Sequence, residues 1–170
     1  VAPSKPLAFD PISEAHRQWV ESGWASAADG LTVVLSIMRS QQIYLAKVNA
    51  ALRRFDLTFA RFELLAVLNF TGHEALPLNE VGARLQVHPA SVTHAVDRLE
   101  ATGLVQRTPH ERDRRTTLVR ILPAGRDIFD EAVEVLNREV FAEPGLSEAS
   151  ARDLVERITE IRQREGDFLL

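Results

Sequence analysis

The stretch SVTHAVDRLEATGLVQRTPHERDRR, residues 91–115, decides the fold. Its first half reads as an amphipathic helix, with Val92, Val96 and Leu99 at i, i+4 and i+7 forming an inward face. Gly103 is a good C-terminal stop. Beyond it, LVQRT (104–108) and TTLVRIL (116–122) alternate apolar with polar residues, as half-buried strands do. PHERDRR (109–115) lies between them as a charged hairpin tip. Upstream, His88 precedes Pro89, a residue favoured at the first helical position. Before that, EVGARLQ (80–86) is a short helix with Asn79 as its predicted N-cap, preceded by an extended piece over Ala75–Leu78. Two short helices, a tight turn and a basic β-hairpin make a winged helix-turn-helix.

Charge sorts in the same place. The chain of 170 residues carries a formal net charge of -4. Residues 84–120 nevertheless hold seven arginines and four acids, a local excess of +3, which leaves -7 for the remainder. Such segregation points to an anionic partner for one face. A helix fits the major groove of duplex DNA and presents its N-terminal side chains to base edges. The outward face here is Ala90, Ser91, Thr93, His94, Asp97 and Arg98, mostly small or polar residues. Ala90 and Ser91 let the backbone approach closely; Ser91, Thr93 and His94 can hydrogen-bond bases or phosphates. Asp97 and Arg98 suit either a DNA contact or a pairing that holds the helix in place. Arg112, Arg114 and Arg115 at the hairpin tip can reach a neighbouring minor groove or backbone, and Arg84 can reach a phosphate.

Outward from this core the chain is helical. Residues 1–11 hold three prolines and read as a flexible arm. An amphipathic helix is predicted from Ile12 to about Trp24, with Gly23 and Gly30 breaking or bending the next stretch. Leu31–Phe55 is a long helix with apolar residues at 31, 34, 35, 38, 45, 48, 52 and 55, and others at 33, 37 and 44 off that stripe. It is either a central core helix or one shared between a core and a subunit interface. FARFELLAVLNF (59–70) is a helix, and TGHEALPLNE (71–80) begins as a loop. Pro123 opens a helix of about 18 residues to Phe141, and Ser147 caps a last helix with Leu154, Ile158 and Ile161 on one stripe.

Composition excludes several function classes. With no cysteine there are no disulfides, thiolate metal sites or cysteine nucleophiles. His16, His73, His88, His94 and His110 show no H-x-x-x-H or H-E-x-x-H spacing, so no metal or other cofactor is expected. No phosphate-binding Gly loop and no G-x-S-x-G motif supports an enzyme. The N-terminus lacks the pattern of a signal peptide. The most apolar stretch, LTVVLSIM, is eight residues, far from the ~20 that span a bilayer, so a cytoplasmic protein without membrane contact is expected.

The tokens SVT-x-x-VDRLE-x-x-GLV-x-R and DRR-x-x-x-V-x-L-x-x-x-G, in that order, resemble the DNA-binding core of the MarR family of bacterial transcription regulators. With its helical flanks the resemblance covers roughly residues 30–165. It implies a mainly α protein with a small β-hairpin wing. The division would be an arm (1–11), N-terminal dimerisation helices (12–55), the winged helix-turn-helix (56–122) and C-terminal dimerisation helices (123–170). It implies a homodimer, most often a repressor, on a palindrome of double-stranded DNA. By position, His88 to Arg98, including Pro89, looks like the recognition helix. Asp113 resembles the wing-bracing acid, with Arg114 or Arg115 entering the minor groove. Gln86 departs from the Gly that relatives often have at the turn. The resemblance also implies a small aromatic or phenolic effector. Candidate lining residues are Trp24, Met38, Arg39, Tyr44, Phe62, Phe70 and His73, with Arg39 able to hold a carboxylate; a plain core role is the alternative for the aromatics. Two other readings stand beside this one. One is a winged-helix protein-interaction module, which the small polar outward face disfavours. The other is a metal-responsive regulator.

Overall fold

The structure, a computed structural model, describes residues 7–110, 113 and 115–168. These divide into two compact units between Lys47 and Val48.

In the first unit, α1 spans Pro11–Glu21. Asp10 caps it, accepting from the Ile12 amide at 3.0 Å and the Ser13 hydroxyl at 2.7 Å, with Pro11 at the first helical position. The helix stops short of the predicted Trp24 because Gly23 turns the backbone left-handed, at φ 89°. The Trp24 ring then folds back on Trp19, with centroids 4.8 Å apart. α2 runs over Ala25–Leu52 and begins six residues earlier than expected. Gly30 does not break it, although a mid-helix Gly costs about 1 kcal/mol against Ala. His16 Nε2 lies 3.2 Å from Asp29 Oδ1, linking α1 to α2. Val33, Val34, Ile37, Met38 and Ile43 of α2 remain exposed.

The second unit starts with the last residues of α2 and a single 3-10 turn, Arg53–Phe55. Then come α3 (Phe59–Phe70), β1 (Leu76–Pro77), α4 (Leu78–Leu85), α5 (Pro89–Ala101), β2 (Val105–Pro109) and β3 (Thr117–Ile121). α6 (Pro123–Leu136) continues into a π turn, Asn137–Phe141, and α7 spans Glu148–Arg164. The strands form one antiparallel sheet in the order β1-β3-β2. Its hairpin registers Val105 opposite Ile121 and Pro109 opposite Thr117. Leu64, Leu65, Val81, Val96, Leu99, Val119 and Leu136 are wholly removed from solvent in the core of this unit.

α4 begins one residue before the predicted cap, so Asn79 does not cap it. Pro77 occupies the cap position, without a side-chain cap hydrogen bond. Pairing of Pro77 with Leu118 in the sheet holds the chain extended up to that residue, and the helix starts directly after it. Gln86 ends α4 in the left-handed region, φ 52° and ψ 38°, a strained choice for a residue with a Cβ. Its side chain is tied down: Nε2 donates to the Asp167 carbonyl at 3.0 Å. α6 enters the core closely, because Gly125 lets it approach the Leu104 carbonyl; a Cβ there would lie 2.2 Å from that oxygen. Ser147 Oγ caps α7, accepting from the Ser150 amide at 3.2 Å. No residue of α7 is buried, and Leu154, Val155 and Ile161 are exposed. Among the described residues no helix is long and apolar enough to cross a membrane.

Candidate nucleic-acid interface

α5 presents the outward residues that its periodicity dictates. Val92, Ala95, Val96 and Leu99 are buried, so Ala90, Ser91, Thr93, His94, Asp97 and Arg98 face solvent. The helix opens on His88, whose ring Nδ1 accepts from the Ala90 amide at 3.2 Å, with Pro89 next. Thr93 Oγ1 donates to the Pro89 carbonyl at 3.1 Å and keeps its lone pairs for another donor. Arg84, on α4, pairs with Glu80 one turn away at 2.6 Å.

Arg107 differs from the other arginines of its segment. Its guanidinium reaches Asp97 at 2.7 Å, Glu100 at 2.8 Å and the Thr93 carbonyl at 3.0 Å. Its backbone amide donates to Glu100 Oε1 at 2.8 Å. That amide, followed by the Arg107 side chain, holds the Glu100 carboxyl below the usual carboxylate range. Arg107 is therefore a clamp between strand β2 and the exposed side of α5, consumed within the chain. Sequence reading counted it among the cations facing an anion. The partners lie across the Gly103 turn, where helical spacing carries no information.

The hairpin tip is organised by Asp113. Its Oδ1 accepts from the Arg115 amide at 3.0 Å and its Oδ2 from the Thr116 hydroxyl at 2.7 Å. Those two bonds, the hydroxyl first, lower the Asp113 carboxyl from its ordinary value. His110 Nδ1 accepts from the Asp113 amide at 3.2 Å. Arg115 is exposed and borders an open hollow of about 660 Å³ shared with Asn79, Gln86, Pro89 and Thr116. Arg112 and Arg114 lie outside the described residues.

The candidate effector residues divide between the two units. In the first, Trp24 packs on Trp19, Met38 is exposed, Arg39 Nη1 donates to Gln42 at 3.2 Å, and Lys47 Nζ stands 5.8 Å from the Tyr44 ring centroid. In the second, Phe62 is buried and stacked on Phe129 at 5.3 Å, and Phe70 meets the same ring edge-on at 5.4 Å while remaining mostly exposed. His73 lies elsewhere, in a hollow with Thr108, His110 and Arg120. Among the described residues no group of three His, Cys, Asp or Glu side chains could hold a metal ion.

A short helix, a tight turn, an exposed polar second helix and an aspartate-braced hairpin are thus assembled in one unit. The sequence model of the MarR family matches residues 55–116, from just before α3 through the hairpin tip. A MarR-family transcriptional regulator of Streptomyces coelicolor, Sco5413, is 36% identical; the match covers 82% of this chain and 97% of that one, with a TM-score of 0.75. The chain belongs to the MarR family. Its fold is the MarR winged helix, mostly helical with a small antiparallel sheet. Another relative is the HTH-type transcriptional repressor IacR of Pseudomonas putida, 30% identical over 65% of this chain and 66% of that repressor's length. Bordetella bronchiseptica BpsR, whose DNA binding is regulated by 6-hydroxynicotinic acid, is 26% identical with a TM-score of 0.68, over 76% of this chain and 97% of that one. Sco5413 and IacR are transcription regulators, and this MarR-family chain is a transcription regulator.

Proposed function

We propose that this regulator is a homodimeric repressor that binds a palindromic operator and is released by a small aromatic acid. The observation that carries the reading is the split character of its helices. α5 satisfies its apolar face inside the chain and offers Ser91, Thr93, His94 and Arg98 to solvent. α2 and α7 instead leave apolar side chains exposed along their length. The first pattern suits a DNA groove. The second suits a second copy of the chain, with residues 12–55 and 123–170 as the dimerisation layer and 56–122 as the DNA-binding lobe.

In this reading His88, Pro89, Ala90, Ser91, Thr93 and His94 face the major groove, and Arg98 contacts the same duplex. Arg84 approaches a phosphate once released from Glu80. The wing, braced by Asp113, delivers Arg112, Arg114 or Arg115 to the minor groove. Half-sites would lie about 10 base pairs apart, centre to centre, or a multiple of that spacing. The aromatic-acid effector is supported by BpsR and by Arg39 among the apolar neighbours of α2. It would act by favouring a lobe spacing that no longer fits the operator.

Fluorescence anisotropy on the intergenic DNA upstream of the regulator's own gene, at several salt concentrations, tests this. Saturable binding by a dimer, far tighter than to scrambled duplex and weakening with salt, is expected. A dimer that fails to bind duplex even at low salt would turn the reading toward a protein-interaction module. Aromatic acids added to the same complex should release it.

A further inference from the structure

Many of the arginines with a defined position are answered by a carboxylate: Arg17, Arg54, Arg84, Arg107, Arg138, Arg157 and Arg162 each have one within 3.5 Å. Others are not, and two of those share one place in the fold. Among the described residues neither Arg61, in the first turn of α3, nor Arg98, on the exposed face of α5, has an acidic partner. Both line the same open hollow, of about 770 Å³, between α3 and α5. Thr58, Ser91 and His94 add hydroxyls and an imidazole to its walls, and Asp56 is the one acid in its lining. The root of Arg61 is held, with Nε donating to the Thr58 hydroxyl at 3.3 Å. Its two terminal nitrogens are left for another acceptor.

We infer that this hollow is a phosphodiester clamp, in which Arg61 and Arg98 grip the backbone of the duplex whose groove α5 enters. The inference rests on the DNA-binding reading above and extends it to α3, a helix given no DNA contact there. The walls dictate the ligand chemistry. Unpaired guanidiniums beside hydroxyls are phosphate donors. The hollow is open, and among the described residues no buried side-chain polar atom lacks a partner, so nothing in it is pre-built to enclose a small free anion. A polyanion passing through an open trough is the better fit. Two hollows then flank the recognition helix: one with Pro89 and Arg115 toward the wing, the other with Ser91, His94 and Arg98 toward α3.

The test is a salt titration of operator and scrambled duplex binding by the full chain and three variants. Arg61→Gln should weaken both duplexes by the same factor and reduce the slope of log affinity against log salt by about 1 per protomer. Arg61→Lys should keep the wild-type slope. Asp56→Asn should tighten both duplexes, because it removes the one repelling charge while asparagine tolerates the left-handed backbone at φ 52°. Melting curves of the variants establish that the fold is retained, and if Arg61→Gln melts early the Lys and Asn variants still decide. An unchanged slope in Arg61→Gln, in a protein whose wild type binds operator, overturns the clamp. So does a loss confined to operator, which would mark a base contact. Wild-type protein that binds no duplex overturns the clamp and the function it rests on together.

Discussion

α5 and α7 are both amphipathic helices of the same unit, and they end differently. α5 buries Val92, Ala95, Val96 and Leu99 against the rest of its own chain, whereas α7 has no buried residue and leaves Leu154, Val155 and Ile161 exposed. A helix whose apolar stripe is already covered keeps its polar face for another kind of molecule. A helix whose apolar stripe is bare still lacks the surface that stabilises it, since burial rather than propensity supplies most helix stability. The contrast separates the surface that meets DNA from the surface that meets a second copy, and five measurements bear on it.

The largest effect should come from α5. Leu99→Ala removes a wholly buried side chain and should cost about 2–5 kcal/mol in chemical denaturation, at any protein concentration. Next, Leu154→Ala with Ile161→Ala on α7 should act through association. Sedimentation should show a weakened dimer, with a melting temperature that now depends on concentration. If the double variant stays dimeric with an unchanged melt, α7 is not covered by a second copy and the contrast between the two helices fails.

Arg107→Ala sharpens the comparison from the α5 side, because the clamp belongs to that helix. It should cost about 1–2 kcal/mol, discounted for partial exposure, and loosen the wing more than the helix in amide exchange. The same bracket predicts a pH dependence. The folded-state carboxyl of Glu100 is depressed, so its contribution is present above the unfolded carboxylate range and is lost as pH falls through the lower folded value. Acid titration of stability should therefore be shallower in Glu100→Gln than in wild type. A parallel titration of the two proteins would show that the bracket contributes nothing at neutral pH.

The smallest effect is predicted at the turn. Gln86→Gly relieves a left-handed backbone but removes the bond to the Asp167 carbonyl. The two terms are each about 1 kcal/mol and oppose, so global stability should change by less than about 0.5 kcal/mol. Amide exchange at the C-terminal end of α7 should nevertheless accelerate. Unchanged exchange there would mean that the tail is held by Arg162 and Asp167 without help from the turn.

Local periodicity made much of this legible in advance. The i, i+4, i+7 pattern of Val92, Val96 and Leu99, the Pro89 start, the alternation on either side of PHERDRR and the Ser147 cap each depend on residues close in the chain. They read correctly because neighbouring side chains alone decide which face of a helix or strand is apolar. Asn79 misled for the opposite reason: a sheet pairing with Leu118, far along the chain, fixed where α4 begins. Gly30 misled as well, because a single glycine costs a 28-residue helix less than the rest of that helix supplies.

The site divides along the same line. The amino-acid sequence by itself determined that a basic hairpin comes after a helix with a small, polar outer face, and it carried the family's tokens. Only the tertiary structure decided which arginines are spent and which are left over. Arg107 and Arg98 look alike in the chain, yet one is enclosed by Asp97, Glu100 and the Thr93 carbonyl while the other faces a hollow beside Arg61. Charge can be counted along a sequence. Whether a charge is neutralised depends on what lies within a few ångströms of it, and residues 61 and 98 are brought to one hollow only by the packing of α3 against α5.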